Sequence, residues 1–234
     1  MTPEELSHYH EHGYVVQQAL FSKDEIQVWL DRLGAFIRGE APKSEGMLIM
    51  RDVMIAKGVV EAAKRGWKPI SGNFLLPQWV KTHWPGYVKG CEEAGFTADT
   101  QDWRVAKSIF VADDAATARA YAKGKDGPYY HYYEQLMHKL IKGGRAKLFK
   151  YDQNEPDDAV GVDRSIDDLV ISGTVNDVVD QILAYREFIG DFGTLLYAGH
   201  DWRDKPLARR SMELLAEKVM PAVNAAIGQP AAAE

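Results

Sequence analysis

The last quarter of the chain constrains the fold most, because strand-like and helical patterns alternate there. The apolar run 169–174 leads into a helical pattern, and the run 192–197 is followed by a polar turn and a helix that opens near Pro206. Alternation of strand and helix is typical of parallel sheets, and of (β/α) barrels in particular. This segment therefore predicts an α/β fold.

The alternation extends back to about residue 59. Four strands are predicted from there onward, whereas a complete eight-stranded barrel takes about 250 residues. The sequence therefore predicts a partial TIM-type (β/α) barrel over 59–234, equivalent to a C-terminal half. Its other predicted elements are a short strand at 67–71, a helix at 77–94, a strand at 103–112, a helix at 114–123 capped by Asp113, a helix at 129–142 and a polar loop at 150–166.

Residues 1–58 show a different pattern of predicted helices and strands. Thr2 and Glu5 form a capping-box pattern that predicts a helix over 2–12. Ser22 and Glu25 repeat the pattern before a run of helical apolar spacing that ends at Gly39. Strand-like runs at 14–20 and 47–55 complete this part of the chain. We expect a small α+β segment ahead of the barrel portion.

Composition narrows the class of protein. A chain of 234 residues with 46% hydrophobic residues can build a core, and its net charge of -6 includes no basic stripe for nucleic acid. The single cysteine, Cys91, excludes a disulfide framework and suits a reducing compartment. No apolar run is long enough to span a membrane, and the N-terminus lacks a secretory pattern. We therefore expect a cytoplasmic protein.

Two clusters of ring-bearing side chains are candidate sites. His8, His10 and His12 could bind a metal only if the backbone is not helical, since a helix puts His10 on a different face; otherwise they form a solvated helix end. The run 129–133 contains four tyrosines and a histidine. It either lines a pocket for a planar ligand or belongs to an amphipathic helix that buries two tyrosines.

Gly173 and Thr174 lie between a predicted strand and a predicted helix. The free N–H groups at a helix N-terminus suit a phosphate, although a capping threonine with Asp177 at the third position is also an ordinary helix start. No glycine-rich dinucleotide motif and no Walker motif occurs, which disfavours a Rossmann or P-loop nucleotide site.

His200, Asp201 and Trp202 follow the last predicted strand. In a parallel barrel this position opens at the C-terminal mouth, where active-site groups collect. Either His200 or Asp201 could form a hydrogen bond to a ligand there. The alternative is an ordinary loop in which Asp201 caps the last helix.

Residues 66–228 resemble the C-terminal half of a luciferase-like, flavin-dependent monooxygenase. The resemblance implies a (β/α) barrel that binds reduced FMN at its C-terminal mouth and uses O2 to oxidise a small organic substrate. The stretches that carry it, in chain order, are 66–71, 83–87, 103–106, 109–113, 173–174, 192–195, 201–202, 210–216 and 219–221.

This resemblance implies roles for particular residues and partners. Ser71, Gly173 and Thr174 are implied as contacts to the flavin or its phosphate, and residues 200–202 as mouth residues. In flavin enzymes the cofactor supplies the oxidation and the protein positions and shields it, so no single catalytic residue is implied. A flavin reductase is implied as a partner. Because half a barrel leaves open sheet edges, we also expect a homo-oligomer or a partner chain.

Residues 1–58 resemble the start of the phytanoyl-CoA dioxygenase family. The stretches 9–16, 20–26 and 50–58 carry this resemblance. It implies Fe(II) and 2-oxoglutarate held by a His-x-Asp pair and a later histidine, but the chain contains no His-x-Asp or His-x-Glu. We therefore predict no metal site. An interaction protein or non-catalytic fusion fragment stays open beside the flavin enzyme, and an iron dioxygenase ranks third.

Overall fold

The computed structural model describes residues 2–15, 21–38, 40, 57–200 and 203–228. The chain divides into two compact units, Met1–Arg51 and Asp52–Glu234. The predicted strand at 47–55, and most of the one at 14–20, lie outside the described residues, as do Asp201 and Trp202. No helix in the described ranges combines the length and apolar character needed to cross a membrane.

Helix α1 of the first unit spans Pro3–His12. It begins with the predicted capping box, since Thr2 N donates to Glu5 Oε2 at 2.6 Å and Glu5 N donates to Thr2 Oγ1 at 3.2 Å. It ends at Gly13, whose φ of 78° is the left-handed conformation that glycine adopts at no steric cost. The prediction of this helix is confirmed.

Helix α2 spans Lys23–Arg38. Ser22 N donates to Glu25 Oε2 at 2.8 Å, and Glu25 N donates back to Ser22 Oγ at 3.2 Å. This second capping box satisfies two of the N–H groups that a helix start leaves unpaired. The predicted start is therefore confirmed.

The second unit is a parallel β-sheet with helices on both faces. Its helices and strands are α3 (Lys57–Lys64), β1 (Ile70–Ser71), α4 (Pro77–Lys81), α5 (His83–Glu93), β2 (Arg104–Val111), α6 (Ala115–Ala122), α7 (Pro128–Lys142), α8 (Val162–Leu169), β3 (Val170–Gly173), α9 (Val175–Ile189), β4 (Thr194–Ala198), α10 (Lys205–Leu214), a π-helical turn (Leu215–Val219) and α11 (Met220–Ala226). Short 3₁₀ turns lie between some of them. The predicted α/β class and strand–helix alternation are confirmed for this unit.

Strand β2 is hydrogen-bonded to all three other strands. Arg104 pairs with Ile70 of β1 and with Thr194 of β4, and Ser108 pairs with Val170 of β3, all in parallel register. In a sequential barrel each strand lies beside the next along the chain. Here β4 pairs with β2, so the described strands form a four-stranded sheet in which β2 is central.

At residues 109–111 of β2 the core divides by the two-residue period of a strand. Phe110 packs in a large cluster with Tyr129 and Tyr133 of α7. Ile109 and Val111 pack on the other face with residues of α9, α10 and the turn and helix after it. The two clusters explain why the second half of the strand, from Ile109 to Val111, is continuously apolar, as strands covered on both faces are.

Three sequence predictions differ from the structure. The helix predicted over 77–94 is two helices, α4 and α5, separated at Thr82. The loop predicted over 150–166 includes the start of α8, whose apolar residues line one face. The cap of α6 is Asp114, whose Oδ1 accepts from Thr117 N at 2.8 Å, whereas Asp113 is paired with Arg210 at 2.8 Å.

Candidate functional site

Four polar side chains meet near the carboxyl ends of β1 and β4. Ser108 Oγ lies 2.6 Å from His200 Nε2 and 2.7 Å from the Tyr133 hydroxyl. Asn73 Nδ2 donates to Ser108 Oγ at 3.1 Å. The Tyr133 hydroxyl lies 3.0 Å from the main-chain carbonyl oxygen of Asn73 and 3.3 Å from that of Leu169. The fold thus joins residues from β2, α7 and the turns after β1 and β4 in one hydrogen-bonded cluster, hereafter the His200 cluster (Asn73, Ser108, Tyr133, His200).

Aromatic rings enclose the His200 imidazole. Tyr132 stacks on it with ring centroids 3.8 Å apart and planes inclined by 21°, and Tyr129 meets it edge-on at 4.9 Å. Burial among these rings lowers the pKa of His200 to about 4, because the charged imidazolium loses its hydration. The ring is therefore neutral at pH 7.

A cavity of about 420 Å³ lies between α7 and the turn after β4. This volume falls within the usual range of small-molecule sites. Its wall combines an aromatic ring, apolar side chains and hydrogen-bonding groups, with the Lys139 amine as a cation and no carboxylate among the described lining residues. These lining residues are Pro128, His131, Tyr132, Gln135, Leu136, Lys139, Gly199 and His200.

Ser71 is fully buried. Its hydroxyl lies 2.7 Å from His83 Nδ1 and accepts a hydrogen bond from Trp103 Nε1 at 2.8 Å. These contacts join β1 to α5 and to the residue before β2. No hydrogen bond among the described residues links Ser71 to the His200 cluster.

Gly173 and Thr174 form the junction between β3 and α9. Thr174 donates to the Asp177 carboxylate from its main-chain N–H at 2.9 Å and from its hydroxyl at 2.7 Å. A side chain on Gly173 would place its Cβ 2.5 Å from Asp177 Cβ, so the junction requires glycine. The helix N-terminus thus already carries a carboxylate, which an incoming phosphate would have to displace.

His200 is the one predicted mouth residue that the structure describes, since residues 201 and 202 lie outside the described ranges. The alternative role for Asp201, capping the last helix, is wrong. Asp204 caps α10, and its Oδ1 accepts from Leu207 N at 3.0 Å.

The amphipathic-helix interpretation of the tyrosine run is confirmed, with three tyrosines buried rather than two, and a pocket for a planar ligand stays a prediction. Tyr129, Tyr130 and Tyr133 are buried in the core, whereas Tyr132 is part-exposed and lines the cavity. The N-terminal histidines lie on helix α1, where the His8 and His12 rings are 4.4 Å apart. Among the described residues no group of three metal-binding side chains occurs.

Asn73 and Ser108 are site residues that the sequence did not predict. Asn73 is 127 positions from His200, and Ser108 lies in a strand next to Lys107 and before the apolar residues 109–111. The signal available in the sequence was the serine itself, because a polar residue in a strand buried on both faces needs a hydrogen-bonding partner.

A second cavity, of about 320 Å³, contains the buried amine of Lys107. Lys107 Nζ donates to the Asp168 carbonyl oxygen and lies 4.7 Å from the centre of the Tyr185 ring. Burial lowers the pKa of Lys107 to about 7, partly offset by the negative charge of Asp168.

Comparison with known proteins gives relatives of one kind. No family model matches the chain, so the resemblance of residues 1–58 to phytanoyl-CoA dioxygenases stays a prediction. The chain is 28% identical over 168 residues to 3,6-diketocamphane 1,6-monooxygenase of Pseudomonas putida, spanning 69% of this chain and 43% of the relative. It is 31% identical over 160 residues to 4-hydroxyprotoasukamycin monooxygenase of Streptomyces nodosus subsp. asukaensis, spanning 63% and 38%.

Two solved structures that match the chain are also monooxygenases. The oxygenating constituent of 3,6-diketocamphane monooxygenase from Pseudomonas putida, a type II Baeyer–Villiger monooxygenase in complex with FMN, matches with a TM-score of 0.59 and 26% identity over 70% of this chain and 45% of that one. A monooxygenase from Streptomyces bottropensis shares the fold, with a TM-score of 0.53, 18% identity and coverage of 94% and 66%. The chain spans less than half the length of the two curated relatives. Over about two thirds of its own length it is similar to monooxygenases, one of which is solved with FMN bound.

Proposed function

We propose that the chain is a flavin-dependent monooxygenase of the luciferase-like class, or the flavin-binding part of one, which uses FMN and O2 to oxidise a small organic molecule. The observation that supports this most is the match to the FMN-bound monooxygenase, at a TM-score of 0.59. The two relatives from Pseudomonas putida and Streptomyces nodosus are monooxygenases as well, which favours an oxygenase over a non-catalytic fragment.

The cavity beside His200 suits a flavin. An isoalloxazine is a flat aromatic system with polar edges, and FMN adds a phosphate. The cavity offers the Tyr132 ring and Leu136 for the flat face, and Gln135 and His200 for polar edges. The amine of Lys139, which forms no ion pair with any described residue, supplies a positive charge for the phosphate.

In this proposal the protein positions and shields the flavin, while the cofactor supplies the oxidation when it is bound. The His200 cluster provides a fixed hydrogen-bonding edge, and the tyrosines of α7 keep water away from it. Ser71, Gly173 and Thr174 are retained as proposed contacts to the flavin. For Thr174 this requires the Asp177 carboxylate to move aside from the start of α9. For Ser71, which is fully buried, it requires the hydroxyl to leave His83 and Trp103 and become exposed to the flavin. Asp201 and Trp202 are retained as proposed mouth residues.

We further propose that a flavin reductase supplies reduced flavin and that a second copy or a partner chain completes the barrel. The described sheet has four strands, whereas a closed barrel of this type has eight. Open sheet edges pair readily with other strands, which favours association.

A titration of the purified chain with FMN tests the proposal. Flavin fluorescence is followed while the oligomeric state is measured by analytical ultracentrifugation. We expect saturable quenching with a dissociation constant in the micromolar range or tighter. If no binding occurs up to millimolar FMN, the proposal fails for this chain, and the non-catalytic fragment is the better interpretation.

Matched variants locate the site. Tyr132→Ala removes a ring from the cavity wall and should weaken FMN binding at least tenfold. His138→Gln changes an exposed residue of the same helix that does not line the cavity, and it should bind as the parent chain does. Equal affinities for the two variants would place the flavin elsewhere.

A further inference from the structure

The protons of the His200 cluster can be assigned from chemistry, beginning at the carbonyl groups. The Tyr133 hydroxyl lies 3.0 Å from the Asn73 carbonyl oxygen and 3.3 Å from the Leu169 carbonyl oxygen. Carbonyl oxygens only accept hydrogen bonds, and a tyrosine hydroxyl has one proton. The Tyr133 proton therefore points toward these carbonyl groups.

The assignment then passes to Ser108. With its proton used, the Tyr133 oxygen can only accept from Ser108 Oγ, 2.7 Å away. Ser108 has thereby donated its single proton, so its contact of 2.6 Å with His200 Nε2 requires the imidazole to be the donor. Ser108 Oγ accepts from Asn73 Nδ2 at 3.1 Å as well, which fills its two lone pairs.

The opposite assignment, in which Ser108 donates to His200, leaves the cluster with poorer hydrogen bonding. If Ser108 donated to His200, the single Tyr133 proton could serve either the 2.7 Å contact with Ser108 or the 3.0 Å contact with the main-chain carbonyl oxygen of Asn73, and the other pair of oxygens would have no proton between them. The opposite assignment would gain only the contact between Asn73 Nδ2 and His200 Nε2, which at 3.4 Å is among the longest in the cluster. An unpaired short contact between acceptors costs more than one long hydrogen bond contributes.

A neutral imidazole protonated at Nε2 carries a lone pair at Nδ1. No hydrogen bond from any described residue reaches His200 Nδ1, and His200 lines the 420 Å³ cavity. Within the site proposed above for flavin binding, we propose that His200 Nδ1 is a fixed hydrogen-bond acceptor, which selects organic ligands that present an N–H or O–H group. Asn73, Ser108 and Tyr133 act as positioning residues that set the tautomer.

The low pKa of the ring supports this role. An imidazole with a pKa of about 4 keeps its lone pair through the physiological range. Stacking on Tyr132 holds the plane of the ring, so the acceptor direction is fixed as well. The N–H or O–H group could come from the imide of the flavin or from a hydroxyl group of a second organic ligand, and both sources present the same chemistry to Nδ1.

The tautomer is measurable without any ligand. Two-bond correlation NMR of the full chain, labelled with ¹⁵N at histidine, distinguishes a protonated from an unprotonated ring nitrogen. We expect His200 to be protonated at Nε2 and unprotonated at Nδ1 from pH 6 to pH 8. Ser108→Ala removes the acceptor of the Nε2 proton and should give a mixture of tautomers. A parent chain protonated at Nδ1 overturns the proposal.

Ligand pairs that differ by one donor test the selection and its source. FMN and 3-methyl-FMN differ at the imide N–H, and phenol and anisole differ at the hydroxyl group. We expect at least one pair to show a 3- to 10-fold preference for the donor-bearing member, the effect of about one hydrogen bond. His200→Phe keeps a flat ring in this place but carries no hydrogen-bond acceptor, so it should abolish that preference.

The control variant and the two negative outcomes give different patterns of binding. His138→Gln should keep the preference of the parent chain. If neither pair shows a preference, whether its members bind equally or not at all, the selecting role of His200 is overturned. Absence of FMN binding combined with a preference for phenol would remove the flavin function and leave the acceptor inference standing.

Discussion

Neighbouring tyrosines of α7 differ in what their hydroxyl groups contact. Tyr133 is fully buried, and its hydroxyl is bonded within the His200 cluster. The Tyr132 hydroxyl forms no hydrogen bond with any residue in the described part of the chain, although its ring stacks on His200. Removing one oxygen atom from each residue therefore separates the hydrogen-bonding role from the ring packing.

We expect Tyr133→Phe to lower the free energy of unfolding by about 1–3 kcal/mol, because it leaves buried polar partners without their hydrogen bonds. Tyr132→Phe should change it by less than about 0.5 kcal/mol. Urea denaturation followed by circular dichroism measures both values. Similar losses in the two variants would contradict the hydrogen-bond assignment.

Lys107 should make the free energy of unfolding depend on pH in a specific way. Its folded pKa of about 7 lies below the ordinary value of 10.5. Between these values the unfolded chain binds a proton that the folded chain has released, so the free energy of unfolding rises with pH.

We expect this rise to approach about 1.4 kcal/mol per pH unit from Lys107 between pH 7.5 and pH 9.5. Lys107→Met keeps the length of the side chain and removes its titration. The free energy of unfolding of the variant, taken relative to that of the parent, should therefore fall as pH rises. Denaturation at several pH values measures this difference. A constant difference across the range would mean that the amine is not desolvated in the folded protein.

At the scale of elements, the junction between β3 and α9 depends on a close approach of backbone and side chain. We expect Gly173→Ala to lower the free energy of unfolding by about 1–3 kcal/mol, because the new methyl group overlaps Asp177. Gly161→Ala at the start of α8 is the control, since a Cβ there has no neighbour within 4 Å among the described residues. Thermal unfolding of the two variants tests the difference, and equal melting temperatures would contradict it.

Elements with local signals could be predicted from sequence. The capping boxes at Thr2 and Ser22 fix helix starts within a few residues, and the apolar run of β2 is long enough to identify a buried strand. Helix α8 was missed because its apolar residues span only eight positions after a polar, proline-containing stretch. Asp113, the predicted cap of α6, is instead paired with Arg210, which is 97 positions away along the chain.

The candidate site was only partly predictable for the same reason. His200 follows a strand, and that position alone marks it as a mouth residue. Its partners Asn73 and Ser108 become significant only when β1, β2 and β4 come together. Likewise, the pairing of β4 with β2 follows from packing that no local pattern records.

At the scale of the whole molecule, the buried core of the described residues lies in the second unit. The described buried clusters contain only residues between Val59 and Val223. We therefore expect a chain of residues 52–234 to fold and unfold cooperatively without residues 1–51, with a melting temperature within a few degrees of the full chain. Calorimetry of the two chains checks this, and aggregation or loss of the transition in the shorter chain would refute it.

The central position of β2 also sets how the protein exchanges its amide protons with solvent. Strand β2 is hydrogen-bonded to three strands. At its end, the Val111 N–H donates to the buried hydroxyl of Ser211 at 2.8 Å. Its amide protons can reach water only when the sheet itself separates. Deuterium uptake by this one strand should therefore report global opening of the second unit, while the helices around the cavity exchange through smaller local openings.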